Sequence, residues 1–152
     1  MDFLKSKLKF KIFLITKLPL AWVAGLRIDK FDTTSCVVGI KYSFWNTNPF
    51  KSMYFAAQAM AAEMSTGALV LHTVYNSSLS ISTLVLGLEA KFLKKAVGQI
   101  RFICDEGEYI EQQIKNAISE NKAVVFDTYS RGYNENNEIV AEFKITWTVK
   151  RK

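Results

Sequence analysis

The stretch that decides the fold is SMYFAAQAMAAEMSTGALVLHTVYNSSLSISTLVLGL, residues 52–88, which carries one charged side chain, Glu63. From Met53 to Thr66, and on toward Val74, it is rich in alanine and methionine and apolar on nearly every side, which predicts an enclosed helix. A carboxylate in such a helix loses hydration. Glu63 must therefore be paired, kept protonated by a raised pKa, or used in chemistry.

The residues on either side of this helix predict a mostly antiparallel sheet. Val38, Ile40, Tyr42 and Phe44 alternate along a predicted strand over 36–45. The later predicted elements are a strand over 84–93, a neighbouring strand over 97–105, a surface helix over 106–119, and a hairpin of strands over 122–131 and 139–150. About five strands and one enclosed helix favour an α+β fold in which a sheet wraps around the helix.

The N-terminal segment predicts a basic amphipathic helix. Leu4, Leu8, Ile12 and Ile15 recur at spacings that place them on one side of a helix, and Pro19 would end it. Lysines precede and interrupt these positions, at 5, 7, 9, 11 and 17. Such a helix could cover the edge of the core, or it could bind an anionic membrane surface or nucleic acid. The segment does not read as a signal peptide, and no apolar run is long enough to predict a membrane-spanning helix.

Composition limits the class of protein. A chain of 152 residues with 49% hydrophobic and 22% charged residues is typical of one globular, soluble domain. Its net charge of +6 weakly favours an anionic partner, such as a compound that carries phosphates. Cys36, Cys104 and His72 have no metal-ligand spacing, so we expect no metal. Without a targeting segment, we expect a cytoplasmic protein with reduced cysteines.

Three positions in and before the central helix carry a family resemblance. Asn48 is followed fifteen residues later by Glu63, and Gly67 comes four residues after that. In this pattern the chain resembles the hotdog-fold acyl-CoA thioesterases, particularly the phenylacetate-pathway type and an uncharacterised DUF4442-like branch. The segments EAKFLKKAVG at 89–98 and NEIVA at 137–141 are similar to later strands of that family.

The resemblance covers roughly residues 19–149. Together with the chain length and the predicted N-terminal helix, it predicts one hotdog domain over residues 1–152, with a helical segment at 1–26 packed on it. It implies a homodimer, or a tetramer of paired dimers, with the active site between two subunits. It also implies a thioesterase whose substrate is an acyl-CoA or acyl-carrier thioester. Coenzyme A would be part of the substrate, and no other cofactor and no nucleic acid is expected.

The same resemblance assigns roles to residues. Glu63 would act as general base or nucleophile, while Asn48 and Asn46 would orient the carbonyl or the water. Backbone amides near Phe55 and Ala56 would stabilise the oxyanion at the helix start. Further contacts with substrate would come from Tyr54 and from the hydroxyl of Ser82, and the coenzyme phosphates would meet basic residues such as Lys91, Lys94, Lys95 and Arg101.

One departure from the family keeps a second function open. A His-Gly-Gly run commonly starts nine residues before the family's carboxylate, whereas this chain has Tyr54, Phe55 and Ala56 there. Those glycines allow a thioester to approach the backbone closely. The chain could therefore be a non-catalytic hotdog protein that binds an acyl or aromatic ligand. Glu63 would then be structural, with a hydrogen bond to Tyr42, to Asn48 or to a partner subunit.

Overall fold

The computed structural model describes Leu4 and residues 6–152, so residues 1–3 and 5 of the predicted N-terminal segment lie outside the described residues. Six strands and four α-helices follow one another along this part of the chain. In order they are α1 Lys7–Lys17, α2 Pro19–Val23, β1 Arg27–Phe31, β2 Cys36–Lys41, α3 Phe55–Asn76, β3 Ile81–Phe92, β4 Gln99–Cys104, α4 Gly107–Glu120, β5 Val124–Tyr133 and β6 Ile139–Arg151. The strands form one antiparallel sheet in the order β1-β2-β4-β5-β6-β3.

Helix α3 lies against this sheet and is enclosed, as its composition predicts. It packs against β2, β4, β5 and β6 on one side and against α4 on another. Its buried hydroxyls are hydrogen-bonded: Thr66 Oγ1 donates to the Glu63 carbonyl, and the Ser65 and Ser130 hydroxyls lie 2.8 Å apart in a hydrogen bond. The helix begins at Phe55, two residues after the predicted start at Met53, and no side chain caps it.

The strand predictions differ from the structure in three places. The structure adds β1, a short strand that the charged sequence RIDKF does not suggest. Strand β2 ends at Lys41 because the buried amide of Asn46 bonds the Lys41 carbonyl and closes a turn that includes a 3₁₀ helix, Phe44–Asn46. Strands β3 and β4 are not neighbours, since β3 pairs with β6 at the sheet edge and β4 lies between β2 and β5.

The N-terminal helix is present, but its buried side is not the predicted one. Leu4 is buried as expected, whereas Leu8, Ile12 and Ile15 are exposed. The residues of α1 that enter the core are Phe10 and Leu14, on the opposite side of the helix. Pro19 ends α1 and opens α2, as Pro is favoured in a first helical turn. Within the described residues, no helix is long and apolar enough to span a bilayer.

Candidate active site

The Glu63 carboxylate lies beside Gly67, and the Trp147 ring approaches the same glycine. Glu63 and Gly67 are one turn apart on α3, and Trp147 comes from the inner face of β6. A Cβ atom on Gly67 would lie 2.9 Å from Glu63 Oε1 and 3.3 Å from Trp147 Cη2. The glycine therefore leaves the space that the carboxylate and the edge of the indole ring occupy.

The Glu63 carboxylate lines an apolar cavity of about 230 Å³. Helix α3 contributes most of the wall, and β3 and β6 contribute Thr83 and Trp147. The N-terminal helices close one side with apolar side chains, those of Phe13 and Leu18. Apart from Glu63 and Thr83, the lining side chains are apolar, so the cavity suits an acyl or aromatic group better than a charged one.

Burial raises the pKa of Glu63 above its ordinary range, because the apolar surroundings disfavour the charged carboxylate. Among the described residues, no hydrogen bond or ion pair reaches that carboxylate. The two intrachain partners that a structural role would need are engaged elsewhere. The Tyr42 hydroxyl bonds Thr47, and the Asn48 amide bonds its own loop. The carboxylate is thus free to act on a ligand.

The start of α3 offers unpaired backbone donors. Within the part of the chain that the structure describes, the amides of Phe55 and Ala56 donate to no protein group, and no side chain caps the helix. The helix dipole adds partial positive charge at this end. Such a terminus can stabilise an oxyanion.

Aromatic rings surround the start of α3. The Tyr54 and Phe55 rings meet edge to face with centroids 4.8 Å apart, and the Phe55 ring lies 6.4 Å from that of Phe92 on β3. These rings are about half exposed. They make the approach to the amides narrower than two glycines would.

Glu63 and the start of α3 lie far apart along the helix axis. Eight residues separate Phe55 from Glu63, which corresponds to about 12 Å along the helix axis. A carbonyl carbon and its oxygen are only about 1.2 Å apart. The Glu63 side chain would have to span most of that axial distance to act on a carbonyl bound at the amides of its own helix.

The loop before α3 is held by two asparagines. Asn46 is 3% exposed, and its amide nitrogen donates to the carbonyls of Ala24 and Lys41, while its oxygen accepts from the Ser43 amide. The Asn48 oxygen accepts from the backbone amide of Phe50 at 2.9 Å. Both side chains use their polar atoms on the protein, so a substrate contact from either of them stays a prediction.

Two other sets of predicted contacts are distributed differently. Ser82 is exposed, and its neighbour Thr83 lines the cavity. Lys94 pairs with Glu138, and Arg101 donates to Asn137. The remaining predicted phosphate contacts are Lys91, which is exposed, and Lys95, whose amine donates to the Phe50 carbonyl near the start of α3. No cluster of potential metal ligands occurs among the described residues.

Sequence reasoning missed two polar or aromatic groups near the helix. Trp147 stands 84 positions after Glu63 and alternates with other core residues of β6, so no local pattern marks it. Its indole nitrogen donates to Thr66 Oγ1 at 3.2 Å. Gln58 lies in the first turns of α3, and its buried Oε1 receives no hydrogen bond from the described residues. Only the rarity of a buried glutamine could have drawn attention to it.

One protein family model matches nearly the whole chain. Residues 6–149 match the family model for DUF4442, a domain of unknown function. The chain belongs to the DUF4442 family. No curated protein sequence matches this DUF4442 protein.

Solved structures show that this DUF4442 chain has the hotdog fold. It is similar to a Pseudomonas aeruginosa protein of unknown function described as a probable thioesterase, with 21% identity over 95% of this chain and 96% of that one, and a TM-score of 0.78. A Chlorobaculum tepidum protein of unknown function is 17% identical over 96% and 94% of the two chains, with a TM-score of 0.80.

A third similar structure is a variant of a Staphylococcus aureus thioesterase. It is 12% identical over 87% of this chain and 98% of that one, with a TM-score of 0.64. In that variant a glutamine is replaced by alanine, and in another structure of the same protein a glutamate fifteen positions later is replaced. The predicted hotdog fold of this DUF4442 chain is therefore confirmed.

Proposed function

We propose that this protein hydrolyses a thioester, either an acyl-CoA or an acyl-carrier thioester, with Glu63 as general base or nucleophile. The observation that carries the proposal is a carboxylate that has a raised pKa, faces an apolar cavity and has no partner among the described residues. Burying such a group is costly, and a structural role would require a partner. Reactive carboxylates are commonly held in this kind of environment.

The chemistry can follow either of two routes. As a base, ionised Glu63 takes a proton from water, the hydroxide oxygen bonds to the thioester carbon, and the C–S bond breaks to release a thiolate. As a nucleophile, Glu63 displaces the thiolate itself and forms an acyl anhydride, which water then hydrolyses to the free acid. In both routes the carbonyl oxygen gains negative charge, and the first-turn amides at Phe55 and Ala56 of a second copy would stabilise it.

The assembly that brings these groups together is a homodimer. The roughly 12 Å along the helix axis between Glu63 and the start of α3 favours a site shared by two chains. Strand β3 is a long edge of the sheet, and it exposes Leu84, Leu86 and Leu88. Long apolar edge strands favour pairing with another strand. Pairing of two β3 edges would give a two-fold dimer with one continuous sheet, and two such dimers could form a tetramer.

Two further observations support the proposal. The residues replaced in the S. aureus thioesterase variants are fifteen positions apart, as are Asn48 and Glu63 in this chain. Lys95 holds a cation close to the start of α3, where coenzyme phosphates would approach.

The buried cysteines, Cys36 and Cys104, are free thiols although they are partners in neighbouring strands, which suits a reducing compartment such as the cytoplasm.

The second candidate function is a non-catalytic hotdog protein that binds an acyl or aromatic ligand. The observation in its favour is the ring of Phe55, which stands at the helix start and contacts Phe92. A bulky side chain there limits how closely a thioester can approach the amides. The cavity beside Glu63 would still hold an apolar group.

A panel of acyl-CoA thioesters separates the two functions. Thiol release should be measured with short, long and aromatic acyl groups, and binding of non-hydrolysable thioether analogues of the same compounds should be measured in parallel. We expect turnover of at least one thioester. Binding of an analogue without turnover of any thioester would establish the non-catalytic function instead.

A further inference from the structure

We propose that α1, α2 and the 3₁₀ turn at Phe44–Asn46 form a docking surface for an anionic lipid bilayer. We call this surface the basic apolar face. It consists of the exposed side of α1, the exposed side chains of α2, and the exposed aromatic rings of the turn. Lipid docking at this face does not depend on thioester hydrolysis, so the two proposals can fail separately.

The exposed side of α1 is apolar. Leu8 is 69% exposed and Ile12 is 53% exposed, and Ile15 completes a stripe at spacings of four and three. Residues so spaced share one side of a helix. Phe10 and Leu14 bury the opposite side, so the stripe points away from the core. About half of the surface of these three side chains stays exposed in the described part of the chain.

Lysines flank the stripe. Lys7, Lys9 and Lys11 are exposed, and each is adjacent in sequence to Leu8 or Ile12, which places it about 100° away around the helix. Residues 3–28 contain six cations and no acidic residue. Within the described part of the chain, no carboxylate forms an ion pair with these three lysines or with Lys17. Apolar side chains bordered by unpaired lysines are the pattern of helices that lie in a membrane interface.

Aromatic residues extend the face beyond α1. Trp22 is exposed on α2, and Phe44 and Trp45 in the neighbouring turn are 83% and 71% exposed. The buried amide of Asn46 joins the two segments, because it donates to the carbonyl of Ala24, the residue after α2. Tryptophan and other aromatic rings favour the headgroup level of a bilayer. A surface that binds phosphates alone would not need these rings.

Charge favours lipid over a second copy of the chain. Two copies that met through this face would bring their lysine clusters together, and like charges at an interface oppose association. The lipids of an anionic bilayer complement the lysines, while the acyl region accepts the leucine and isoleucine side chains. Because Phe13 of α1 and Leu18, the residue between α1 and α2, line the Glu63 cavity, docking would place that cavity about 10 Å from the bilayer, roughly one helix diameter.

Vesicle co-sedimentation of the full chain tests the docking surface. Vesicles of phosphatidylcholine alone are compared with vesicles that also contain phosphatidylglycerol, at low salt and at about 0.15 M salt. The variants are Leu8→Gln/Ile12→Gln, which removes the stripe, and Lys7→Gln/Lys11→Gln, which removes charge. Val125→Gln is the matched control, since Val125 is an exposed apolar residue on β5. Circular dichroism verifies that each variant is folded.

We expect binding to the anionic vesicles only, weakened by salt. The partition coefficient of the lysine variant onto anionic vesicles should fall about fivefold for each lysine replaced. The partition coefficient of the stripe variant should fall at least about tenfold. The control should bind like wild type. Lack of wild-type binding at low salt would overturn the proposal, as would equal binding by the stripe variant. A stripe variant that lowers the oligomeric state would instead identify the face as an interface between copies.

Discussion

Glu63 and Gly67 share one side of α3, and a Cβ at position 67 would lie 2.9 Å from Glu63 Oε1. The glycine thus has a packing role, because it leaves room for both the carboxylate and the edge of the Trp147 ring beside the apolar cavity. The position of the carboxylate follows from this contact.

Gly67→Ala should reduce activity without loss of stability. The added methyl group must displace the carboxylate, and a misplacement of about 1 Å can cost about a hundredfold in rate. Alanine in a helix interior is favoured over glycine by roughly 1 kcal/mol, which offsets the crowding in the free energy of unfolding. Steady-state kinetics and thermal unfolding should be measured on the same samples. Wild-type kinetics in this variant would show that the carboxylate position is unimportant.

Glu63→Gln should raise the stability of the protein at neutral and alkaline pH. Burial raises the pKa of Glu63 in the folded state, so the folded protein binds its proton more tightly than the unfolded chain does. Wild-type stability therefore falls as pH rises from the unfolded value of about 4.3 through the raised folded pKa. The variant lacks this loss, and its advantage in Tm should vanish at lower pH.

The control for that measurement is Glu120→Gln, which changes an exposed carboxylate at the end of α4. This variant should follow the wild-type dependence of Tm on pH. If Glu63→Gln were less stable than wild type at neutral pH, the carboxylate would have to accept stabilising hydrogen bonds, as a structural residue does.

Asn46→Ala should destabilise the fold by about 2–3 kcal/mol, because the substitution leaves buried backbone groups without their hydrogen bonds. The remaining folded protein should keep its kcat if the role of Asn46 is to hold the loop. Denaturant unfolding and kinetics test this, with the exposed Asn136→Ala as control. A lower kcat at unchanged stability would instead indicate contact with the substrate.

Leu86→Lys should disrupt the homodimer. Leu86 is exposed on β3, and a lysine on an edge strand opposes edge-to-edge pairing. We expect wild type to sediment as a dimer. The dissociation constant of the variant's dimer should be at least about tenfold higher than that of wild type. Val125→Lys adds the same charge on β5 as a control. A variant that remains dimeric would place the subunit interface elsewhere.

The central helix could be predicted from sequence because its composition indicates that it is enclosed. Between residues 52 and 88 only Glu63 is charged, so both the buried helix and its candidate reactive group are visible without a structure. The α4 helix and the β5–β6 hairpin were also predicted, since each has a clear period and a short connection.

Contacts between distant segments could not be predicted. The pairing of β3 with β6 joins residues 49 to 70 positions apart, whereas sequence proximity suggested that β3 pairs with β4. The predicted inner side of α1 was wrong because α1 is apolar on two sides. The spacing of Leu8 and Ile12 is as regular as that of Phe10 and Leu14. Trp147 and Thr83 meet the Glu63 cavity only through the folded sheet.

The most direct test of the central claim is kcat/KM of Glu63→Gln on the best acyl-CoA substrate of the panel, with Glu120→Gln measured as the matched control. If Glu63 is the base or nucleophile, the Glu63 variant should lose about 10²–10⁴-fold while the control keeps the wild-type value. Turnover that Glu63→Gln leaves unchanged would contradict the account.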